Sequence, residues 1–260
     1  WGSLGLHYYQ IPQTQVAPID FSSTVLNNGI NTQTNVQLTT DVTGAAAFNE
    51  TSALGVSLAA GATDSLDLST QFTPSAIGTY NFTWSVSSDQ VDDVPLNNVL
   101  TGESFEVTNY IYARDRGVYE GQGGGEDGGD YAFEAGNYFQ IFADQQAFAI
   151  DVVIGAGTPN GTIIYGKIYE FDSIVNDFVF IDETFEYIVT SNDVLSNANI
   201  TLPLTTAPTL NAGSKYLVVV GCYSEFYYGE SGFSEPQTSF LMYGGVGGFG
   251  GQYYPNNTPM

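Results

Sequence analysis

The chain of 260 residues carries 28 aspartates and glutamates but only four lysines and arginines, which gives a formal net charge of −24. This charge repels phosphate backbones and anionic lipids, so binding to nucleic acids or membrane surfaces through basic residues is excluded. Hydrophobic residues make up 43% of the chain and aromatic residues 14%. A folded protein with a packed core is therefore predicted, rather than an acidic disordered tail.

The chemistry is further limited by a single histidine, His7, and a single cysteine, Cys222. Zinc sites need three or four such ligands, and a disulfide needs two cysteines, so neither is expected within one chain. Cys222 ends an apolar run and is predicted to be a buried, unreactive thiol. There is no apolar stretch of about 18 residues, so we expect no insertion into a membrane. A sequence that begins without Met is typical of a processed, exported product, and an extracellular location is expected.

Along the chain, residues 1–12 are predicted to be an aromatic extension. Residues 13–112 show apolar and polar residues in alternation, most clearly over 80–86, which is typical of strands with one buried face. Further strands are predicted at 36–42, 56–58, 65–68 and 105–107. About seven short strands separated by Gly and Pro turns predict a β-sandwich of the immunoglobulin type.

This first domain resembles the bacterial cell-adhesion-related domain called CARDB. The resemblance rests on Val25–Gly29, Leu58–Gly61, Phe72–Pro74 with Gly78–Tyr80, and Asp89–Asn98. It implies a secreted or surface-exposed Ig-like module that acts as a spacer or an adhesive element. It implies no catalytic residues.

Residues 113–130 are rich in glycine and acidic residues and are predicted to be a linker. Residues 131–244 contain longer apolar strands, at 138–142, 147–154, 162–171, 178–189, 200–204, 216–223 and 239–243, which predict a jelly-roll-like sandwich. This block is similar to β-rich regions of secreted bacterial surface proteins. Residues 245–260 mix glycine with single aromatic residues and are predicted to be a flexible tail. The predicted fold class is therefore all-β, with two sandwich domains.

Two acidic groups are candidate calcium ligands, because calcium is bound by six to eight oxygen atoms. They are Asp89, Asp92 and Asp93 in the first domain, and Glu126, Asp127 and Asp130 in the linker. Neither group has the spacing of an EF-hand, and a solvated acidic turn explains each equally simply. No cofactor is required by the sequence, and Ca²⁺ is the one ion that these residues suggest.

Aromatic residues form a dense segment near the end of the second domain: Tyr223, Phe226, Tyr227, Tyr228 and Phe233. They are candidate contacts for a polysaccharide, but a protein interface and plain core packing are alternatives. Paired carboxylates raise the alternative of glycoside hydrolysis, with Asp182, Glu183, Asp151 and Glu170 as the candidates. The position of Asp182 and Glu183 within a predicted strand indicates instead that they lie on the solvent-facing side of a sheet. No enzymatic activity is therefore predicted. Two Asp-Ser-apolar triplets resemble a bacterial O-glycosylation motif, with Ser65 and Ser173 as the candidate residues.

These features together predict a non-enzymatic, secreted structural or adhesive protein that assembles with copies of itself into a filament or surface layer. The expected contacts are Trp1, Tyr8, Tyr9, Phe249, Tyr253 and Tyr254, helped by strand edges that lack lysine and by bridging cations. Two alternatives remain open: a carbohydrate-binding module of a larger secreted protein, and an inert spacer of an adhesin.

Overall fold

The structure is a computed structural model that describes residues 8–53, 55–125, 133–231, 238–243 and 253–256. The chain divides into two compact units, residues 1–112 and 113–260. Both consist of β-sheets, so the all-β class predicted from the alternating sequence is confirmed. Within the described part of the chain, no helix has the length and apolar character needed to cross a membrane.

The described residues of unit 1 form eight strands and two short 3-10 helices. The strands are β1 (Gln10–Pro12), β2 (Ser22–Leu26), β3 (Gln33–Gly44), β4 (Phe48–Thr51), β5 (Val56–Leu58), β6 (Thr63–Asp67), β7 (Gly78–Ser87) and β8 (Val99–Thr108), and the 3-10 helices are Gln13–Gln15 and Pro95–Asn98. The main sheet has the order β1-β8-β7-β3-β4, with β5 also paired to β3 and β1 parallel to β8. Strands β2 and β6 form a separate antiparallel pair.

The core of unit 1 is built from the apolar positions of β3, β7 and β8. Leu38, Val42, Tyr80, Phe82 and Val107 are almost completely buried. Because these residues occur at every second position of their strands, they point to the same side of the sheet. Rings in contact extend this core, with Tyr80 and Phe82 each stacked on the ring of Phe105.

Unit 2 contains thirteen described strands and one short α-helix. The strands are β9 (Gly121–Gly125), β10 (Phe133–Gln140), β11 (Gln145–Gln146), β12 (Ala149–Val153), β13 (Ile163–Asp172), β14 (Asp177–Glu183), β15 (Tyr187–Ile188), β16 (Asn199–Pro203), β17 (Thr209–Leu210), β18 (Lys215–Cys222), β19 (Phe226–Glu230), β20 (Ser239–Tyr243) and β21 (Tyr253–Asn256), and the helix α1 is Ser191–Ser196. The main sheet has the order β14-β13-β18-β10-β20-β21, with β15 also paired to β13. Pairs β12–β16, β9–β19 and β11–β17 lie outside it.

One face of the main sheet of unit 2 forms a core. Ile164, Ile168 and Cys222 are fully buried on it, and Ile150 of β12 lies over the backbone of Gly166 in β13. The opposite face carries the residues that alternate with these: Tyr165, Lys167 and Tyr169 in β13, and Leu217, Val219 and Gly221 in β18. This second face holds the candidate site.

Three segments that the sequence analysis placed outside the two predicted sandwiches contain strands. In the predicted extension 1–12, β1 pairs with β8. In the predicted linker 113–130, β9 pairs with β19. In the predicted tail 245–260, β21 pairs with β20. Backbone pairing does not require apolar side chains, which is why composition gave no sign of these strands.

Candidate functional site

Five side chains form a line on the second face of the main sheet, which we call the aromatic row: Tyr223, Tyr165, Lys167, Tyr169 and Phe180. Alternation along β13 places Tyr165, Lys167 and Tyr169 on the same side of the sheet. Tyr223 follows β18, and its ring centroid lies 4.9 Å from that of Tyr165. Phe180 is the partner of Tyr169 in the register of β14, and its ring is 6.0 Å away in an edge-on contact.

The row is held in place by Glu134 of β10, which lies two strands away. Its carboxylate accepts hydrogen bonds from Lys167 Nζ at 2.7 Å, and from the hydroxyls of Tyr165 and Tyr169 at 3.1 Å each. Strands β10 and β13 are separated by β18, and neighbouring strands lie about 4.8 Å apart. The contact is made across Gly221, where a Cβ atom would come within 2.8 Å of Glu134 Cγ and 2.7 Å of Tyr165 Cζ. A glycine at this position therefore lets three strands share one polar cluster.

The cluster is buried at its centre and partly open at its cation. Glu134 is 1% exposed, whereas the side chain of Lys167 is 23% exposed. Burial raises the pKa of Tyr165 far above its ordinary value, and the neighbouring charge of Glu134 and its hydrogen bond raise it further. Burial alone would lower the pKa of Lys167, but the hydrogen bond and charge of Glu134 outweigh it and raise the pKa. The lysine is therefore a charged partner of the carboxylate at neutral pH, which is how a buried carboxylate is tolerated.

The ends of the aromatic row are open to solvent. Tyr223 is 58% exposed and Phe180 is 50% exposed. Next to the row on the same face, the rings of Tyr138, Phe178 and Phe240 contact one another at centroid distances of 5.9 to 6.2 Å. The centre of this face is covered, since Tyr165, Leu217 and Val219 are each 4% exposed or less, so contact with a partner falls to rings at its margin such as Tyr223 and Phe180.

The residues predicted to bind calcium are not assembled into a metal centre by the described structure. Asp89 accepts hydrogen bonds from the side chains of Thr34 and Asn35, and Asp92 accepts from the backbone of Val94 and the side chain of Asn98. No three Asp, Glu, His or Cys side chains of the described residues are grouped to hold a metal ion, so Asp89, Asp92 and Asp93 do not form one. The second predicted group, Glu126, Asp127 and Asp130, lies outside the described residues.

The predicted assembly contacts have different surroundings. Tyr8 is buried, and its ring centroid lies 4.5 Å from that of Tyr112, so it packs within unit 1 and its role in assembly stays a prediction. The backbone oxygen of Tyr9, which is half-buried, accepts a hydrogen bond from the backbone N–H of Glu106. Tyr253 and Tyr254 lie in β21, paired with Met242 and Leu241. Trp1 and Phe249 lie outside the described residues.

The aromatic segment predicted to bind a glycan is divided by strand alternation. Phe226 and Tyr228 are buried, and the ring of Tyr228 stacks on Phe133 at 5.8 Å, so these two residues belong to the core. Tyr227 packs over the backbone of Gly155 and Gly157, because a Cβ atom at either glycine would lie within 3.0 Å of the Tyr227 side chain. Only Tyr223 is an exposed ring, and Phe233 lies outside the described residues.

The remaining sequence candidates are placed as follows. Cys222 is buried, and burial raises the pKa of its thiol to about 11, in agreement with the predicted unreactive cysteine. Ser65 lies exposed in β6, and Ser173 lies exposed in the turn between β13 and β14. Both hydroxyls are therefore accessible to a modifying enzyme, and their glycosylation stays a prediction.

The carboxylates considered for hydrolysis have structural partners. Asp182 accepts hydrogen bonds from the hydroxyls of Thr205 and Thr206, Asp151 accepts from Thr201, and Glu170 accepts from Tyr216. The pKa of Asp182 is lowered, because these hydrogen bonds outweigh the effect of burial. A lowered pKa makes a carboxyl group a poor general acid at neutral pH.

Sequence reasoning missed Glu134, Lys167 and Tyr169 as members of a site. The available signal was the segment Tyr165-Gly166-Lys167-Ile168-Tyr169, where a lysine stands between two tyrosines on one face of an apolar strand. Comparison of the chain with protein-family models, with curated proteins and with solved structures finds no match. The function is therefore inferred from the geometry of the site.

Proposed function

We propose that this protein is a non-enzymatic extracellular structural or adhesive protein whose second unit makes contacts through the aromatic row. The observation that carries this proposal is the pair of exposed rings, Tyr223 and Phe180, at the ends of a row whose centre is held by the ion pair of Lys167 with Glu134. Large rings on a rigid support lose little conformational entropy on binding, which is why they dominate protein contact surfaces. The strong negative charge supports an extracellular role without nucleic-acid or anionic-lipid partners.

We also propose that the two units are Greek-key sandwiches, Ig-like in unit 1 and jelly-roll-like in unit 2. A specific hydrogen bond supports this in each unit. In unit 1 the Tyr80 hydroxyl donates to the backbone oxygen of Ala76 at 2.7 Å, and in unit 2 the Tyr216 hydroxyl accepts from the backbone N–H of Asn211 at 2.9 Å. A tyrosine near the start of a strand that bonds to the backbone a few residues upstream is typical of the corners of such sandwiches.

Footprinting with hydroxyl radicals tests the proposed contact surface. The full chain is labelled alone, at high protein concentration, and after retention on polysaccharide and protein surfaces. We expect reduced oxidation of Tyr223 and Phe180 in at least one bound or associated state, with Tyr110, which is 87% exposed in unit 1, as the internal control. Binding or association that leaves Tyr223 and Phe180 as reactive as before would contradict the proposal, and so would the absence of any binding.

A second candidate function is self-assembly through a strand edge. Strand β14 is the outer strand of the main sheet, and Val179 in it is 45% exposed. Its end is covered, because Thr205 N–H donates to the Glu183 oxygen, and a bulge lies at Ile181, so residues 177–181 form the open edge. There is no lysine in this edge, which is the residue that most often prevents pairing between sheets.

The edge is tested with Val179→Lys, and Val175→Lys in the preceding turn is the matched control because Val175 is 63% exposed. Electron microscopy and light scattering, with calcium and then with a chelator, report on assembly. Self-assembly through β14 predicts polymers that Val179→Lys abolishes and Val175→Lys retains. Monomers of the unmodified chain in both conditions would exclude it. Deletion of 245–260 is a poorer test, since it also removes β21 from the sheet.

A further inference from the structure

The aromatic row follows a line along the sheet, in which the ring of Tyr165 is only 4% exposed; the accessible groups include Tyr223 and Phe180 at the ends, with Lys167 and Glu183 between them. Tyr165, Lys167 and Tyr169 occupy every second position of β13, so the row extends for at least about 13 Å along the strand. Tyr223 and Phe180 continue it at either end with exposed rings. A line of this length fits several units of an extended polymer, whereas a small molecule would contact only part of it.

The row alternates apolar and polar groups in a way that matches a sugar chain. A pyranose ring presents C–H groups on its faces, which pack on aromatic rings, and hydroxyls around its edge, which need hydrogen-bond partners. The ammonium of Lys167 lies 4.5 Å from the ring centroid of Tyr165 and is partly exposed. Glu183, the exposed partner of Lys167 in the register of β14, places a carboxylate on the same face. Donor and acceptor are thus available between the rings.

The charges around the row affect which polymers can bind to it. An anionic chain would meet Glu183 as well as the overall charge of −24, and the ammonium of Lys167 is already paired with Glu134. A cationic chain would be attracted by the charge of −24 wherever carboxylates are exposed, so its retention would not depend on the rings of the row. A neutral polymer with many hydroxyls meets no charge repulsion, and its retention depends on the rings and on the hydrogen-bonding groups between them.

We infer that the aromatic row binds a neutral polysaccharide, with sugar rings packed on Tyr223 and Phe180 and hydroxyls bonded to Lys167 and Glu183. This inference rests on the proposed contact function of the row and names its ligand. It assigns the polysaccharide contacts to β13, β14 and the end of β18, and not to the buried Phe226 and Tyr228.

The test is retention of the full chain on neutral polysaccharides (cellulose, xylan, chitin, β-1,3-glucan and starch) and on the anionic polymers alginate and polygalacturonate. We expect at least one neutral polymer to retain the protein, with affinity reduced about ten-fold or more by Tyr223→Ala and by Phe180→Ala. Matched controls are Tyr110→Ala and Phe148→Ala, whose side chains are 87% and 63% exposed and lie outside the row. Circular dichroism checks that each variant is folded.

Retention on none of the neutral polymers would overturn the inference, as would retention on the anionic polymers alone. Equal losses in the row variants and in their controls would also overturn it. These failures are distinguishable from failure of the proposed function. If the footprint shows Tyr223 and Phe180 protected in a self-associated state while no neutral polymer is retained, the contact surface stands and its ligand is wrong.

Discussion

The pair formed by Glu134 and Lys167 predicts a destabilising substitution whose effect depends on pH. Lys167→Met removes the ammonium and keeps most of the side-chain volume, so the carboxylate of Glu134, which is 1% exposed, loses its ion pair with Lys167 while the hydrogen bonds from Tyr165 and Tyr169 stay in place. Breaking a buried ion pair on one side costs about 3–5 kcal/mol. Because Lys167 is partly exposed, solvent screening reduces this, and we expect a loss of about 2–4 kcal/mol at pH 7. For a unit of this size that corresponds to roughly 4–16 °C in Tm.

The assay is thermal and urea unfolding of the full chain at pH 7 and at about pH 11. Burial alone would lower the pKa of Lys167, but the Glu134 carboxylate raises it, so the unmodified chain holds its ammonium at neutral pH and loses it only at high pH. The deficit of Lys167→Met is therefore expected to shrink as the pH rises. Lys215→Met is the control for charge, since Lys215 is exposed on the same sheet face and its Nζ lies 5.9 Å from the ring of Tyr138. Equal effects of the two lysine substitutions, or a deficit that does not change with pH, would refute the reasoning.

Three further predictions concern the same unit. Gly221→Ala should lower stability by about 1–3 kcal/mol because the added Cβ would lie 2.7 Å from Tyr165 Cζ, whereas Gly121→Ala, with no atom within 4 Å, should be neutral in urea unfolding. The lowered pKa of Asp182 stabilises the fold above about pH 4, and this contribution is lost as the pH falls through the folded-state value. Asp182→Asn should therefore be less stable at pH 7 and show a shallower decline in acid, and parallel acid titrations of the two proteins would contradict this. The raised pKa values of Tyr165 and Lys167 predict a loss of stability as the pH rises above about 10, which circular dichroism should detect and which Tyr165→Phe should make shallower.

Strands could be predicted where the sequence alternates between apolar and polar residues or is continuously apolar. The run 80–86 lies within β7, and the runs 56–58 and 239–243 coincide with β5 and β20. These segments alternate or are continuously apolar, and their burial in a sheet follows directly from that pattern. The all-β class could therefore be predicted from the sequence.

Elements held by the backbone alone could not be predicted in this way. Strand β9 is almost entirely glycine, and composition suggested a linker. Its backbone pairs with β19, and the side chains of Tyr228 and Glu230 lie over Gly123 at distances that leave no space for a side chain there. The glycines are therefore required by a neighbour that is distant in the sequence, and a local pattern cannot reveal it.

The helix α1 interrupts a chain that was expected to contain only strands. Its start carries a capping box, in which the Thr190 side chain accepts from the backbone of Asp193, and the Asp193 side chain accepts from the backbone of Thr190. The sequence Thr190-Ser-Asn-Asp193 has the spacing of that motif. The Tyr187 hydroxyl also donates to Asp193, and so ties the helix to β15. These four residues carry the signal of a helix start, but the strand patterns on both sides of them favoured an all-strand prediction.

The candidate site required knowledge of strand order. Glu134 and Lys167 are 33 positions apart and lie two strands from each other, with Gly221 between them. Alternation predicts which residues share a face of one strand, but it does not say which strands are neighbours. The sequence alone therefore did not show which residues of the predicted aromatic segment are exposed and which are buried. The structure shows that Tyr223 is exposed and that Phe226 belongs to the core.

Salt dependence separates the two functions proposed for this protein. Contacts of a neutral polymer with aromatic rings involve no net charge, so binding through the aromatic row should change little between low and physiological ionic strength. Self-assembly brings together two chains of −24 each, and salt or divalent cations must screen that repulsion before edges can pair. Retention on a neutral polysaccharide and light scattering are therefore both measured at low and at physiological ionic strength. We expect retention to stay constant and scattering to rise with salt. Retention that is constant while scattering rises would assign each activity to its own surface. Retention that rises together with scattering would mean that the polysaccharide captures assemblies, and the aromatic row would then have no binding role of its own.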